Sequence, residues 1–228
     1  MKNFFSEWSP EMAWVLGLIF SDGHIKVTRP GKPGRACKLD SIDIDLLEQV
    51  RSLTGVTTGI HKHKNRSIYS LQVGATTVCE YLEDYGVLQT KTHTMEFPDV
   101  PPSCLPHFVR GLWDGDGCIF SRYRTRNRNR LTYTQNEVTT EYVCGSLMFI
   151  TSLHDTIAQY VGIGATIKAY AQADSGRAYR CPPGTGSYSR ISYYHRNSIR
   201  LLDWLYQDST PGTRLARKYS KASPFLSA

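Results

Sequence analysis

Residues 14–24 read Trp-Val-Leu-Gly-Leu-Ile-Phe-Ser-Asp-Gly-His, and residues 107–119 read His-Phe-Val-Arg-Gly-Leu-Trp-Asp-Gly-Asp-Gly-Cys-Ile. Each is an apolar run with an internal glycine, Gly17 or Gly111, and each ends in Asp-Gly, as Asp22-Gly23 or Asp116-Gly117. The two aspartates stand 94 residues apart, close to half of the 228-residue chain. The pattern predicts two helices, each with its aspartate in the last turn and the following glycine as a left-handed cap. The helix dipole disfavours a carboxylate there by roughly 0.3–1 kcal/mol. Two carboxylates in matched positions therefore call for a compensating cation. The internal glycines let two helix backbones approach closely, which would bring the two ends together. Convergent carboxylates with open coordination positions are how proteins hold Mg2+ for phosphate chemistry. The alternative is a pair of ordinary buried helices closed by Asp-Gly turns.

The rest of the chain repeats with the motif. After the first copy, Cys37–Ile44 alternates like a strand, and residues 45–53 form an amphipathic helix stopped by Gly55. After the second copy, Tyr142–Met148 is strand-like and residues 153–160 form the matching helix, stopped by Gly162. Leu46, Val50 and Leu53 then align with Leu153, Ile157 and Tyr160. Ile60–His63 and Ile167–Tyr170 are the next strands, Ser67–Gly74 and Arg190–His195 their hairpin partners, and helices at Thr76–Asp84 and Asn197–Tyr206 close each half. The reading is α+β, with two αββαββα halves: residues 1–97, a short Pro-rich linker at 98–106, and residues 107–228. A Gly-, Pro- and Arg-rich insertion near Gln172–Ser187 reads as a long loop.

At 228 residues and 40% apolar, the chain can bury a sizeable core and is not disordered. A net charge of +7 favours a polyanionic partner. The six cysteines form no C-x-x-C pair, which argues against zinc, and scattered thiols fit a reducing, intracellular setting such as the cytoplasm, nucleoid or an organelle matrix. The apolar run Trp14–Phe20 is too short to span a membrane, so no membrane partner is expected.

The two segments resemble the LAGLIDADG motif of homing endonucleases. Val15–Gly23 occupies its nine places in the first copy and Val109–Gly117 in the second. The second copy keeps both acidic places, as Asp114 and Asp116, whereas the first has Phe20 at the earlier one and Asp22 at the later. The resemblance implies two antiparallel sheets forming a DNA-binding saddle related by a pseudo-twofold axis. It also implies a monomer, because both motifs are in one molecule, and a double-stranded DNA target of roughly 20 base pairs. The implied activity is a divalent-metal-dependent double-strand break, by an intron-encoded or free-standing enzyme. The alternative is a related RNA maturase acting on intron RNA, or a DNA-binding regulator that does not cut.

The DNA-facing residues are read from charge. Arginine recurs at 122, 124, 126, 128 and 130, and period two puts these five on one face of an extended segment. Arginine reads guanine edges and a two-stranded ribbon fits the major groove; the alternative is a loose basic loop touching only phosphates. The first-half counterpart spans Lys26–Lys38, with Lys26, Arg29, Lys32, Arg35 and Lys38, interrupted by Pro30 and Pro33. His61, Lys62, His63, Lys64 and Arg66 form a second cluster, read as a DNA-facing or solvated strand because no further ligand is spaced to complete a metal site. Lys168, Tyr170, Arg180, Arg190 and Tyr194 complete the second half.

For the catalytic centre, the resemblance implies that Asp22 and Asp116, with the adjoining Gly23 and Gly117, form the metal site for Mg2+ or Mn2+, with Ca2+ as a non-catalytic substitute. It also implies a lysine after the second hairpin of each half, to steady the phosphate charge. Lys91 holds that place in the first half, and Lys218 is its counterpart in the second, displaced by the insertion.

Overall fold

The computed structural model of the chain describes residues 4–29, 32–87, 94–128, 131–170 and 188–227. Helix α1 (Pro10–Asp22) begins where Ser9 accepts a hydrogen bond from the Met12 amide at 3.1 Å and Pro10 takes the first turn. Every residue from Met12 to Phe20 is buried, as expected of a helix that is apolar all round. Then follow β1 (Gly23–Arg29), β2 (Lys32–Ser41), α2 (Ile44–Thr54), β3 (His61–Lys62), β4 (Tyr69–Gly74) and α3 (Thr76–Asp84). The second copy gives α4 (Leu105–Gly115), β5 (Cys118–Arg128), β6 (Leu131–Cys144), α5 (Leu147–Val161), β7 (Thr166–Tyr170), β8 (Tyr188–Tyr194) and α6 (Arg196–Tyr206), and a further helix follows, α7 (Ala216–Ala222). Both copies follow the predicted αββαββα order. Their antiparallel sheets share one strand order, β1-β2-β4-β3 and β5-β6-β8-β7.

By internal contacts the chain divides into two units, Met1–Asp116 with Asp208–Leu215, and Gly117–Gln207 with Ala216–Ala228. The first unit holds both motif helices and the first sheet. There α2 packs on β4 and α3 on β2, burying Leu46, Leu47, Val50, Cys79 and Leu82 with Cys37, Leu39, Leu71 and Val73. In the second unit α5 and α6 cover the second sheet, with Phe149, Ile150, Leu153, Ile157, Leu201 and Leu202 meeting Val138, Tyr142, Ile191 and Tyr193. No helix among the described residues is long and apolar enough to cross a membrane.

Three expectations change. Gly23 is extended (φ −82°, ψ 152°) rather than left-handed, because the chain passes from α1 straight into β1. Its glycine is needed for space instead: a Cβ there would lie 2.6 Å from the Ile19 carbonyl oxygen. Gly117 is not left-handed either; among the described residues the positive-φ glycines are Gly55, Gly86 and Gly162, of which Gly55 and Gly162 end α2 and α5. The run 142–148 is a strand only as far as Cys144. Ser146 then caps α5 by accepting from the Phe149 amide at 3.2 Å, so the helix starts well before residue 153. Its core stripe accordingly includes Phe149 and Ile150, and Tyr160 is exposed.

Candidate active site and nucleic-acid interface

Helices α1 and α4 meet at their glycines. A Cβ on Gly17 would lie 2.2 Å from the Phe108 carbonyl oxygen, and one on Gly111 would lie 2.2 Å from that of Trp14. Each added Cβ would also lie 2.9 Å from the Cα of the other glycine. Trp14 and Phe108 occupy equivalent positions of the two motif copies, so the helix pair is symmetric at this crossing. Only hydrogen at both sites permits backbones this close.

One turn further on, the symmetry carries two different chemistries. Trp14 donates its indole N–H to Asp114 at 2.9 Å, and the same carboxylate oxygen accepts the Leu215 amide at 3.0 Å. The equivalent pairing on the other side is Phe108 with Phe20, packed edge to face with ring centroids 5.3 Å apart. Phe108 has no donor to offer a carboxylate, so an apolar ring at position 20 is what this environment accepts. The absence of an acid at position 20 is thus matched by the absence of an N–H across from it. Asp114 is 1% exposed and ties the helix pair together.

The later acids sit where the helices end. Asp22 is the last residue of α1 and is half-buried; Asp116 caps α4 and is exposed. Ser21 donates to the Leu112 carbonyl at 3.2 Å, which draws the end of α1 onto α4. A Cβ on Gly115 would lie 2.4 Å from Ser21 Cβ and 3.1 Å from Asp22 Oδ2. The Asp22 carboxylate is therefore packed against the residue that precedes Asp116. Hard carboxylate oxygens at two dipole-negative helix ends suit Mg2+, Mn2+ or Ca2+. No group of three or more His, Cys, Asp or Glu side chains gathers to hold a metal among the described residues. A two-carboxylate set leaves most coordination positions to water and phosphate oxygens, which is what a cation working on a phosphodiester requires.

Residues 208–215 run along α4 as a strap. Arg110, fully buried, donates from Nε to the Thr213 carbonyl at 2.8 Å and from Nη2 to the Thr213 hydroxyl at 3.4 Å. Its Nη2 also meets His107 Nδ1 at 2.9 Å, and since a guanidinium only donates, this nitrogen is the acceptor and the ring proton is on Nε2. Burial, then the Arg110 charge, pushes the His107 pKa below its ordinary value. The strap leads into α7, where Lys218 is buried and its neighbour Arg217 is exposed.

In each sheet, one face is covered by helices and the other is open and polar. In the first sheet the cross-strand pairs His24–Lys38, Lys38–Gln72 and Ser70–His61 put Lys26, Lys38 and His61 together on the open face with His24, Asp40 and Gln72. Asp40 lies between two histidines, 4.0 Å from His24 Nδ1 and 3.9 Å from His63 Nε2. Arg35 shares the opposite face with Cys37 and Leu39, and forms an ion pair with Glu83 of α3. That bond holds its pKa above the ordinary guanidinium value. Lys62 lies 5.8 Å from the Tyr69 ring centre, and Lys64 and Arg66 are exposed in the turn before β4.

In the second sheet Arg122, Arg124 and Arg126 fall on one face, as period two requires. Register adds Tyr194, Arg190, Lys168 and Tyr170 to that face, together with Gln135, Glu137 and Glu141. Strand β8 pairs with β6 only over Thr139–Cys144, so residues 122–128 and 131–137 project as a two-stranded ribbon. Arg126 donates to Glu137 from Nε at 3.0 Å and from Nη2, and Arg124 Nη1 is 3.6 Å from the other Glu137 oxygen. The Arg126 hydrogen bonds hold the Glu137 pKa below the usual carboxylate value. Further along, Arg190 lies over the Tyr170 ring, donates to its hydroxyl at 2.6 Å, and sits 3.5 Å from Glu141.

Lys91, Arg130, Arg180 and the insertion at 172–187 lie outside the described residues, as do the side chains of Arg29, Lys32 and Arg128. Sequence reasoning missed Asp40 and Glu137, the acids set among the cations, because it sought positive charge alone. Pairing the arginine segment with the chain returning from it would have placed Glu137 opposite Arg122. It also missed Arg110 and the strap, for which no local pattern exists.

No protein-family model matches the chain, and no curated protein matches it. Solved structures do. The meganuclease I-SmaMI bound to uncleaved DNA target in the presence of calcium ions is 13% identical with a TM-score of 0.60, over 96% of this chain and 90% of that one. The I-LtrWI LAGLIDADG homing endonuclease bound to target DNA is 10% identical with a TM-score of 0.59, over 93% and 88%. The LAGLIDADG meganuclease I-AabMI bound to uncleaved DNA is 14% identical with a TM-score of 0.57, over 96% and 89%. The chain has the fold of the LAGLIDADG homing endonucleases.

Proposed function

We propose that this protein is a site-specific DNA endonuclease that makes a double-strand break by divalent-metal-dependent hydrolysis. The observation that carries the reading is the helix pair, closed at Gly17 and Gly111, with Asp22 packed against the residue before Asp116. A purely structural helix pair has no use for a carboxylate at each dipole-negative end. The open, basic faces of the two sheets and the DNA bound by the fold's solved neighbours support a duplex as the partner.

Asp22 and Asp116 would hold the cation, Mg2+ or Mn2+, and each carboxylate belongs to one repeat and so to one strand of the cut. A divalent cation there supplies charge neutralisation at the phosphate and activates water for attack. Gly115 leaves the Asp22 carboxylate room to approach α4. Lys218 on α7 and Lys91 in the first half are the candidates for the positive charge that steadies the phosphate, each by its place in its own repeat. The basic side chains on the open sheet faces bind the phosphate backbone and read base edges, which fixes where the cut falls.

The test is incubation with a randomised duplex library in Mg2+, followed by sequencing of the new ends. Related cut sites of roughly 20 base pairs are expected. Binding without cutting in Mg2+ or Mn2+ would sink the endonuclease reading and direct attention to intron RNA.

A further inference from the structure

Of the three described arginines in the basic stripe, Arg124 stands 3.6 Å from a Glu137 oxygen, and only Arg126 is hydrogen-bonded to that carboxylate. Arg126 presents its Nε and Nη2 edge to Glu137, while Arg122, directly across the ribbon from Glu137, makes no ion pair with it. Glu137 is buried, its side chain only 9% exposed, among residues that are otherwise open: positions 121–127 and 131–134 are all exposed. A buried carboxylate on a surface built for an anion subtracts from phosphate affinity, so its presence needs a reason other than charge.

The geometry supplies one. A guanidinium carries five N–H donors around a planar fork. With the Nε/Nη2 edge taken by Glu137, the edge left over is Nη1/Nη2, which offers two parallel donors. That is the pair that matches the O6 and N7 acceptors of guanine in the major groove. Arg126 sits on the projecting two-stranded part of the sheet, the part whose width suits that groove, and half of its side chain remains exposed. Fixing the side chain beforehand removes rotamer entropy that a free arginine loses on binding.

We propose that Arg126 is a guanine-reading residue and that Glu137 is the positioning residue that aims it, whereas Arg122 serves the phosphate backbone. This rests on the duplex-binding reading above. It divides a uniform arginine stripe into one base reader and one charge donor, a division the sequence period does not contain.

The experiment is selection of bound duplexes from a randomised library by the full chain, in Ca2+ to separate binding from cutting. The chains compared are the wild type, Arg126→Lys, Glu137→Gln, Glu137→Ala and Arg122→Ala, each with its melting temperature measured. Wild type is expected to prefer guanine at one position by roughly 5- to 150-fold over other bases. Arg126→Lys keeps the charge and loses the fork, so that preference should collapse at the same position. Both Glu137 variants should lose it there too, with affinity for random duplex equal to or above wild type. Arg122→Ala should weaken all sequences evenly and leave the guanine preference in place. A Glu137 role that is only structural would instead lower the melting temperature and weaken all sequences together. That result, or an unchanged guanine preference in Arg126→Lys, overturns the proposal while leaving duplex recognition standing. A wild-type chain with no preferred sequence overturns both readings.

Discussion

At the residue scale, the decisive contrast is between two acids of one motif. Asp114 is sealed into the helix pair by Trp14 and the Leu215 amide, and Asp116, two residues on, is exposed. Asp114→Ala would strand both donors, at a cost of about 1–3 kcal/mol for each buried group, measurable by urea unfolding. Phe20→Asp would bury a carboxylate beside Phe108 and should also destabilise; adding Phe108→Trp restores the N–H that Trp14 provides on the other side and should recover part of the loss in a double-mutant cycle. If Phe20→Asp costs nothing, the matched pairing is not the reason for the phenylalanine. His107 gives a pH signature. Its folded-state pKa is depressed below the ordinary 6.5 by burial and by Arg110. As pH falls through that value the unfolded chain takes up a proton that the folded chain resists, so stability is lost on acidification and kept above it. The fall in melting temperature between about pH 7.5 and 5.5 should be smaller in His107→Gln than in wild type.

At the element scale, the glycine crossing of α1 and α4 opposes helix propensity. Alanine should favour an isolated helix by about 1 kcal/mol over glycine. Here a Cβ at Gly17 would lie 2.2 Å from a carbonyl oxygen, so Gly17→Ala should instead lose about 1–3 kcal/mol or more in chemical unfolding. A neutral or stabilising result would mean that the helices do not meet at these residues. This crossing was legible in the sequence, because an internal glycine in an apolar run has few other uses. So was the order of the elements, since burial on one face imposes a period that residues 45–53 and the alternating strands display. What was not legible depends on which element a residue joins, or on partners far along the chain. Gly23 looks like a left-handed cap until the strand that begins with it is seen. Residues 142–148 are apolar enough to extend as one strand, and only the cap at Ser146 turns the last two of them into helix. Arg35 keeps the spacing of its neighbours yet turns to Glu83, 48 residues away. Glu137 acquires meaning only from the register that sets it opposite Arg122.

At the scale of the whole molecule, one sequence pattern was used twice and then differentiated. The two copies share element order and strand order. They differ where each meets its own surroundings: in the Trp-Asp and Phe-Phe pairings, in the strap and α7 that follow the second copy, and in the long ribbon of the second sheet. What both keep is a carboxylate at the end of the motif helix, and in the proposed cleavage those two groups act together. The measurement that tests this most directly is strand-by-strand cleavage of one selected target in Mg2+ by wild type, Asp22→Asn and Asp116→Asn, with binding to the same duplex measured in Ca2+. Both variants are expected to bind within a few-fold of wild type and to lose double-strand cutting by about 100-fold or more, the scale of several kcal/mol of transition-state stabilisation. Full cutting of both strands by either variant would contradict cleavage by the two carboxylates together.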